Sequence, residues 1–152
     1  MSDPLEEHEL YALGSDRSAH FIRVFVNHFL PGAEAQAEDY PVPACVDAPE
    51  VVFTTVDDLL AHLETHPREP YATYWSGTGA APWEQAMVFH TRDGHAVFGI
   101  VYRGGDPLER LRELAAFVGA DYAYVGWEAP PPDSARAFKA LCRKVETLSL
   151  RP

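Results

Sequence analysis

Residues 85–102 read QAMVFHTRDGHAVFGIVY. Two apolar runs rich in Val, Phe and Ile flank Asp93-Gly94, and Asp-Gly between such runs is a strong short-range signal for a hairpin. The spacing predicts strands over 85–92 and 95–102. A two-residue turn between them pairs Arg92 with His95, Thr91 with Ala96 and His90 with Val97. On that register Met87, Phe89, Ala96, Phe98, Ile100 and Tyr102 share one face, which is core. The other face carries Val88, His90, Arg92, His95, Val97 and Val101. It is apolar at the base and polar at the tip, so helices cover only part of it.

Working outward, Tyr71–Ser76 reads as a further strand and Val51–Thr54 as a short one. Thr55 with Asp58 forms a capping-box-like start, followed by a helical stripe of Val56, Leu59, Leu60 and Leu63. Tyr40-Pro41-Val42-Pro43 and the stretch to Pro49 are extended, because residues before proline avoid the α region. In residues 18–30, Ile22, Val24 and Val26 alternate as in a strand. A helical wheel instead gathers Phe21, Ile22, Phe25, Val26, Phe29 and Leu30 opposite His20, Arg23, Asn27 and His28, and the expectation is a helix ended by Pro31-Gly32. Asp3-Pro4 followed by Glu6 predicts an N-terminal helix that stops at Gly14.

Downstream, Asp106-Pro107 with Glu109 opens a helix and Gly119 closes it. Asp121–Trp127 is a strand stopped by the prolines at 130–132. Ala135, Phe138, Leu141, Cys142 and Val145 then recur at helical spacing. Runs of adjacent strands imply a single α+β domain over residues 1–152, with a mixed or mostly antiparallel sheet of about four to five strands and helices packed on it. Within it, 1–50 is an acidic, proline-containing N-terminal segment and 51–147 the sheet-and-helix core.

Charge is distributed unevenly. Residues 1–67 hold thirteen Asp and Glu against two Arg, which accounts for the whole net charge of −11; residues 68–152 balance to zero. A one-sided negative field attracts basic surfaces and repels phosphate, which argues for a basic protein partner and against direct nucleic-acid binding. The first residues carry no basic stretch or apolar run typical of a secretory signal, and no apolar run approaches the ~18 residues of a membrane span. A cytoplasmic setting follows as an expectation, with Cys45 and Cys142 as buried thiols.

No motif for a metal or cofactor emerges. His62 and His66 are four apart, but Leu63 follows the first where the metalloprotease pattern needs Glu. Ser76-Gly77-Thr78-Gly79 lacks the lysine and the helix of a phosphate-binding loop. The candidate partner-binding set is Glu34, Glu38, Asp39, Tyr40, Asp47, Asp57 and Asp58 around the extended proline segment, with Trp75 and Trp83 beside the glycine-rich loop as aromatic anchors or core. A rival set, an acid–base or anion site, is His90, Arg92 and His95 at the hairpin tip, with Glu128 as a carboxylate at a strand end.

The acidic bias, together with Glu38-Asp39-Tyr40-Pro41-Val42-Pro43 and Tyr74-Trp75-Ser76-Gly77, resembles bacterial immunity proteins, which neutralise a toxin domain. The resemblance implies a stoichiometric inhibitor that covers a basic toxin surface, such as a nuclease cleft. The alternative expectation is an enzyme or small-ligand protein with its site between the 90–95 tip and the 75–83 loop.

Overall fold

The computed structural model describes residues 6–77, 82–126, 128–145 and 149–150. The strands are β1 (Glu7–Gly14), β2 (Glu34–Ala35), β3 (Tyr40–Val42), β4 (Val51–Phe53), β5 (Tyr71–Ser76), β6 (Trp83–His90), β7 (Ala96–Arg103), β8 (Ala123–Gly126) and β9 (Ser149–Leu150). The helices are α1 (Ala19–Phe29), α2 (Val56–Glu64), α3 (Pro107–Val118) and α4 (Ala135–Lys144). The α+β class holds. The main sheet has seven strands rather than four to five, in the order β2-β5-β6-β7-β1-β8-β9, and β3 and β4 pair as a separate ribbon. Every adjacent pair is antiparallel.

The extra strands come from three places. β2 and β9 are two-residue edge strands, too short for a periodic signal. The third is β1, where a helix was expected. Glu-His-Glu-Leu-Tyr-Ala-Leu contains good helix formers, but the segment lies between β7 and β8 and fills hydrogen-bonding edges on both sides. Leu10 and Ala12 enter one core and Tyr11 and Leu13 another, so burial on two faces overrides a propensity worth only tenths of a kcal/mol per residue.

The helix expected over 18–30 forms. Ser18 caps it by accepting from the Phe21 amide, and Ile22, Phe25, Val26 and Phe29 face the sheet. Phe25 meets Phe98 at 4.9 Å between ring centroids. Thr55 caps α2, Asp106 caps α3, and Gly119 ends α3 in the left-handed conformation with φ 68°, as the sequence indicates.

The hairpin register differs from the expected one by a single residue. His90 pairs with Ala96 and Phe89 with Val97. The loop has three residues, Arg92-Asp93-Gly94, with Gly94 at φ 87°, and is closed by the Thr91 amide donating to the His95 carbonyl at 3.0 Å. Because side chains alternate, the one-residue slip rejoins the faces. Ala86, Val88, Ala96, Phe98 and Ile100 form one core with α1 and α3; Met87, Phe89 and Val97 form the other with Phe138 and Cys142 of α4.

Each sheet face is therefore covered differently. Helices α1 and α3 pack on the first face, whereas α4 alone packs on the second, over Tyr11, Leu13 and Tyr124. Cys142 is buried there, but Cys45 is exposed in the β3–β4 connection with φ 59°, contrary to the expectation of two buried thiols. No helix among the described residues is long and apolar enough to cross a membrane.

Candidate functional site: an acidic trough on the open sheet face

The part of the second face that α4 leaves uncovered holds a groove of about 610 Å³, lined by Glu6, Glu7, Glu9, Glu84 and Glu128 with Gln85 and Val101. Strand alternation places Glu7, Glu9 and Tyr11 of β1 on this face, opposite Arg103, Val101 and Gly99 of β7. Glu84 joins them through a β-bulge. Trp83 pairs with Tyr102, yet Gln85 pairs with Val101, so the extra residue in between is re-aimed. Trp83 thus packs on the first face against Phe29 and Tyr102, while Glu84 and Gln85 both line the groove.

Glycines shape the floor. A Cβ at Gly126 would fall 2.6 Å from Tyr11 Cε2, and one at Gly99 would fall 3.0 Å from the same ring. With only hydrogens there, the Tyr11 ring settles onto the sheet and its hydroxyl donates to Glu9 Oε2 at 2.7 Å. Burial, then the Glu9 carboxylate, pushes the Tyr11 phenol far above its usual range. The groove mouth carries one clamp: Arg103 donates to both Glu84 and Glu7. The Glu84 hydrogen bond and charge raise the Glu7 carboxyl, whereas the Arg103 hydrogen bond holds Glu84 low.

The structure does not gather the sequence-derived partner set into this trough. Tyr40 is 4% exposed and Trp75 5%: Tyr40 packs with Leu59, Leu63 and Tyr71, and Trp75 lies in the main core. Both are structural, because β3 and β5 turn them inward, and Trp83 is half-buried against the main core. Glu34 on β2, Glu38 and Asp39 before β3, and Asp47 in the β3–β4 connection are exposed. Asp57 and Asp58 occupy the first turn of α2, where the helix dipole favours them, and Asp57 meets Arg23 at 3.4 Å. These carboxylates surround the ribbon and the start of α2.

The rival set does not converge either. His90 is 1% exposed, shares the face of Ala96, and finds no hydrogen-bond partner for either ring nitrogen among the described residues. Burial, and secondarily the Arg17 charge, lowers it to about 3. Arg92 pairs with Asp133 at 3.0 Å, and His95 Nδ1 lies 3.1 Å from the Asp93 carbonyl. Glu128 belongs with Glu9 in the trough. The tip is tied down: the Ala135 amide at the start of α4 donates to the Asp93 carboxylate at 2.9 Å. His62 and His66 stack at 3.8 Å, and no cluster of three or more His, Cys, Asp or Glu suited to a metal occurs among the described residues.

The chain matches no family model, no curated protein and no solved structure.

Sequence reasoning missed Glu6, Glu7, Glu9 and Glu84. Glu7 and Glu9 had a signal, since reading 7–14 as a strand puts Glu7, Glu9 and Tyr11 on one face. Glu84 had none, because its direction depends on a bulge.

Proposed function

We propose that this chain is a non-enzymatic binding protein of immunity or inhibitor type that captures a basic partner protein in the cytoplasm. The observation that carries the reading is the trough, in which five glutamates line one concavity of an uncovered sheet face. Arg103 offsets part of the charge of Glu7 and Glu84, and Glu6, Glu9 and Glu128 leave the concavity net negative, which favours a basic partner. The net charge of −11 extends the attraction beyond contact range. Complementary fields of this kind raise association rates to about 10⁸–10⁹ per molar per second at low salt. The enzyme reading is not favoured, because His90, Arg92 and His95 each turn to a separate environment.

The test is affinity capture from the source cells with the wild-type chain and with a Glu9→Lys/Glu128→Lys variant. The expected result is a basic protein held by the wild type, released by high salt and absent with the variant. Its association rate should fall steeply with ionic strength. A captured partner of neutral or acidic surface overturns the proposal, and a basic partner bound equally by the variant overturns the trough as the surface that holds it.

A further inference from the structure

The trough continues beyond its acidic end. A second depression of about 420 Å³ shares Glu9, Gln85, Val101 and Glu128 with the first and adds Tyr74, Phe89 and Pro130. A third, of about 490 Å³, shares Tyr74, Phe89 and Pro130 with the second and adds Pro43, Ala44, Pro70, Ala72 and Pro131, with Glu69 and the Arg92-paired Asp133 also in its lining. The lining therefore changes along one path, from mostly glutamates to mostly prolines and aromatics, with Glu69 and Asp133 among them. Tyr74, 37% exposed, stands at the change, with its ring 5.9 Å from that of Phe89.

We infer that this path seats an extended segment of the basic partner, its cationic side chains between Glu9 and Glu128 and an apolar side chain against Tyr74 and Pro130. The inference rests on the basic-partner reading above and adds where and how that partner docks. The path follows β6 from Glu84 to Phe89, five strand steps or roughly 17 Å, which is the reach of about five or six extended residues. Gln85 on the floor offers an amide to pair with a passing backbone. Charge selects the occupant. A second copy of this chain would bring its own −11 to a glutamate-lined surface, and a nucleic acid would bring phosphates. An arginine- or lysine-bearing peptide gains attraction at one end and loses water from apolar surface at the other.

The test is an NMR titration of the ¹⁵N-labelled full chain with two probes, Arg-Lys-Arg-Gly-Leu-Phe and Arg-Lys-Arg-Gly-Gly-Gly, each also made in reversed order. In one order the amphipathic probe should shift the amides of Glu9, Tyr74, Gln85 and Val101 and bind more tightly than the glycine probe. Glu9→Gln/Glu128→Gln should weaken both probes about tenfold; glutamine at 9 still accepts from the Tyr11 hydroxyl. Tyr74→Ala should abolish the advantage of the amphipathic probe alone, and Glu38→Gln/Asp39→Asn should change nothing. Dispersed spectra of every variant verify folding. Basic probes that bind while shifting the amides around Glu38 and Asp47 overturn this docking site and leave the basic-partner reading standing. Equal affinity for the two probes overturns the apolar end. If no probe binds at millimolar concentration, the basic-partner reading falls and the docking site with it.

Discussion

The Arg17 guanidinium donates to the Thr91 carbonyl oxygen at 2.8 Å, joining the β1–α1 connection to the end of β6. The same guanidinium reaches the carbonyls of His95, Leu63 and His66 at 3.0, 3.2 and 3.1 Å. One buried cation thus fastens the hairpin to the C-terminus of α2, whose last carbonyls carry the negative end of the helix dipole. Arg17→Ala leaves several of these oxygens unpaired, at a cost of about 3 kcal/mol. Arg17→Lys should recover only part, because a single ammonium cannot span two elements as a planar fork does. Urea unfolding of both variants checks the order.

His90 makes stability fall with acid. Its pKa is about 3 in the folded chain, against about 6.5 for an unperturbed imidazole. Between those values the unfolded chain binds a proton that the folded one refuses. Stability contributed by the neutral ring is therefore complete above about pH 6.5 and declines toward pH 3. Denaturant titrations at pH 7.5 and 5 should differ by about 2 kcal/mol from this group, the slope nearing ~1.4 kcal/mol per pH unit only below pH 6.5. His90→Leu should flatten the slope by one proton, whereas an unchanged slope contradicts a neutral buried ring.

Asp93 caps α4 from a distance. Burial works against its charge, but hydrogen bonds from the Ala135 amide, the Thr91 hydroxyl and the Arg136 amide outweigh it and hold the carboxyl below its usual range. Its contribution is present above the unfolded carboxylate range and lost as pH falls through the lowered value. Asp93→Ala should cost about 1–2 kcal/mol and loosen α4 first. Faster amide exchange in residues 135–140, ahead of the rest, is the measurement.

Trp75 separates anchor from core. At 5% exposure it belongs to the main core, so Trp75→Ala should cost about 3–5 kcal/mol. Trp75→Phe, which stays folded, should leave partner association unchanged. A loss of association in the folded Phe variant would return this residue to the interface.

Tyr11 needs its glycine bed. Gly126→Ala puts a methyl 2.6 Å from Tyr11 Cε2, so the ring must shift and strain of about 1–3 kcal/mol follows. Adding Tyr11→Leu should relieve part of that cost. A double-mutant cycle that shows no coupling would refute the contact.

Much of this architecture was legible where local signals and burial agree. Helix α1 carries an apolar stripe with a serine cap, and α3 carries a cap at each end, so chain chemistry alone specified them. The hairpin was legible in existence and not in register. Asp93-Gly94 suits a two-residue turn as well as a three-residue loop with glycine left-handed, and the choice lies with contacts from Arg17 and Ala135, distant in sequence. Strand β1 was illegible because Glu7–Leu13 has no strand preference of its own. The acidic trough was hidden with it, since Glu7 and Glu9 share a face only in a strand.

What the sequence by itself determined is the α+β class, the caps, the turn at Asp93-Gly94 and the excess of negative charge, all properties of neighbouring residues or of composition. The tertiary structure decided which edge β1 fills, which face each side of the hairpin presents, and which carboxylates meet. Those outcomes depend on pairing between strands far apart in the chain, where a shift of one residue reverses every side chain and no local preference is strong enough to oppose it.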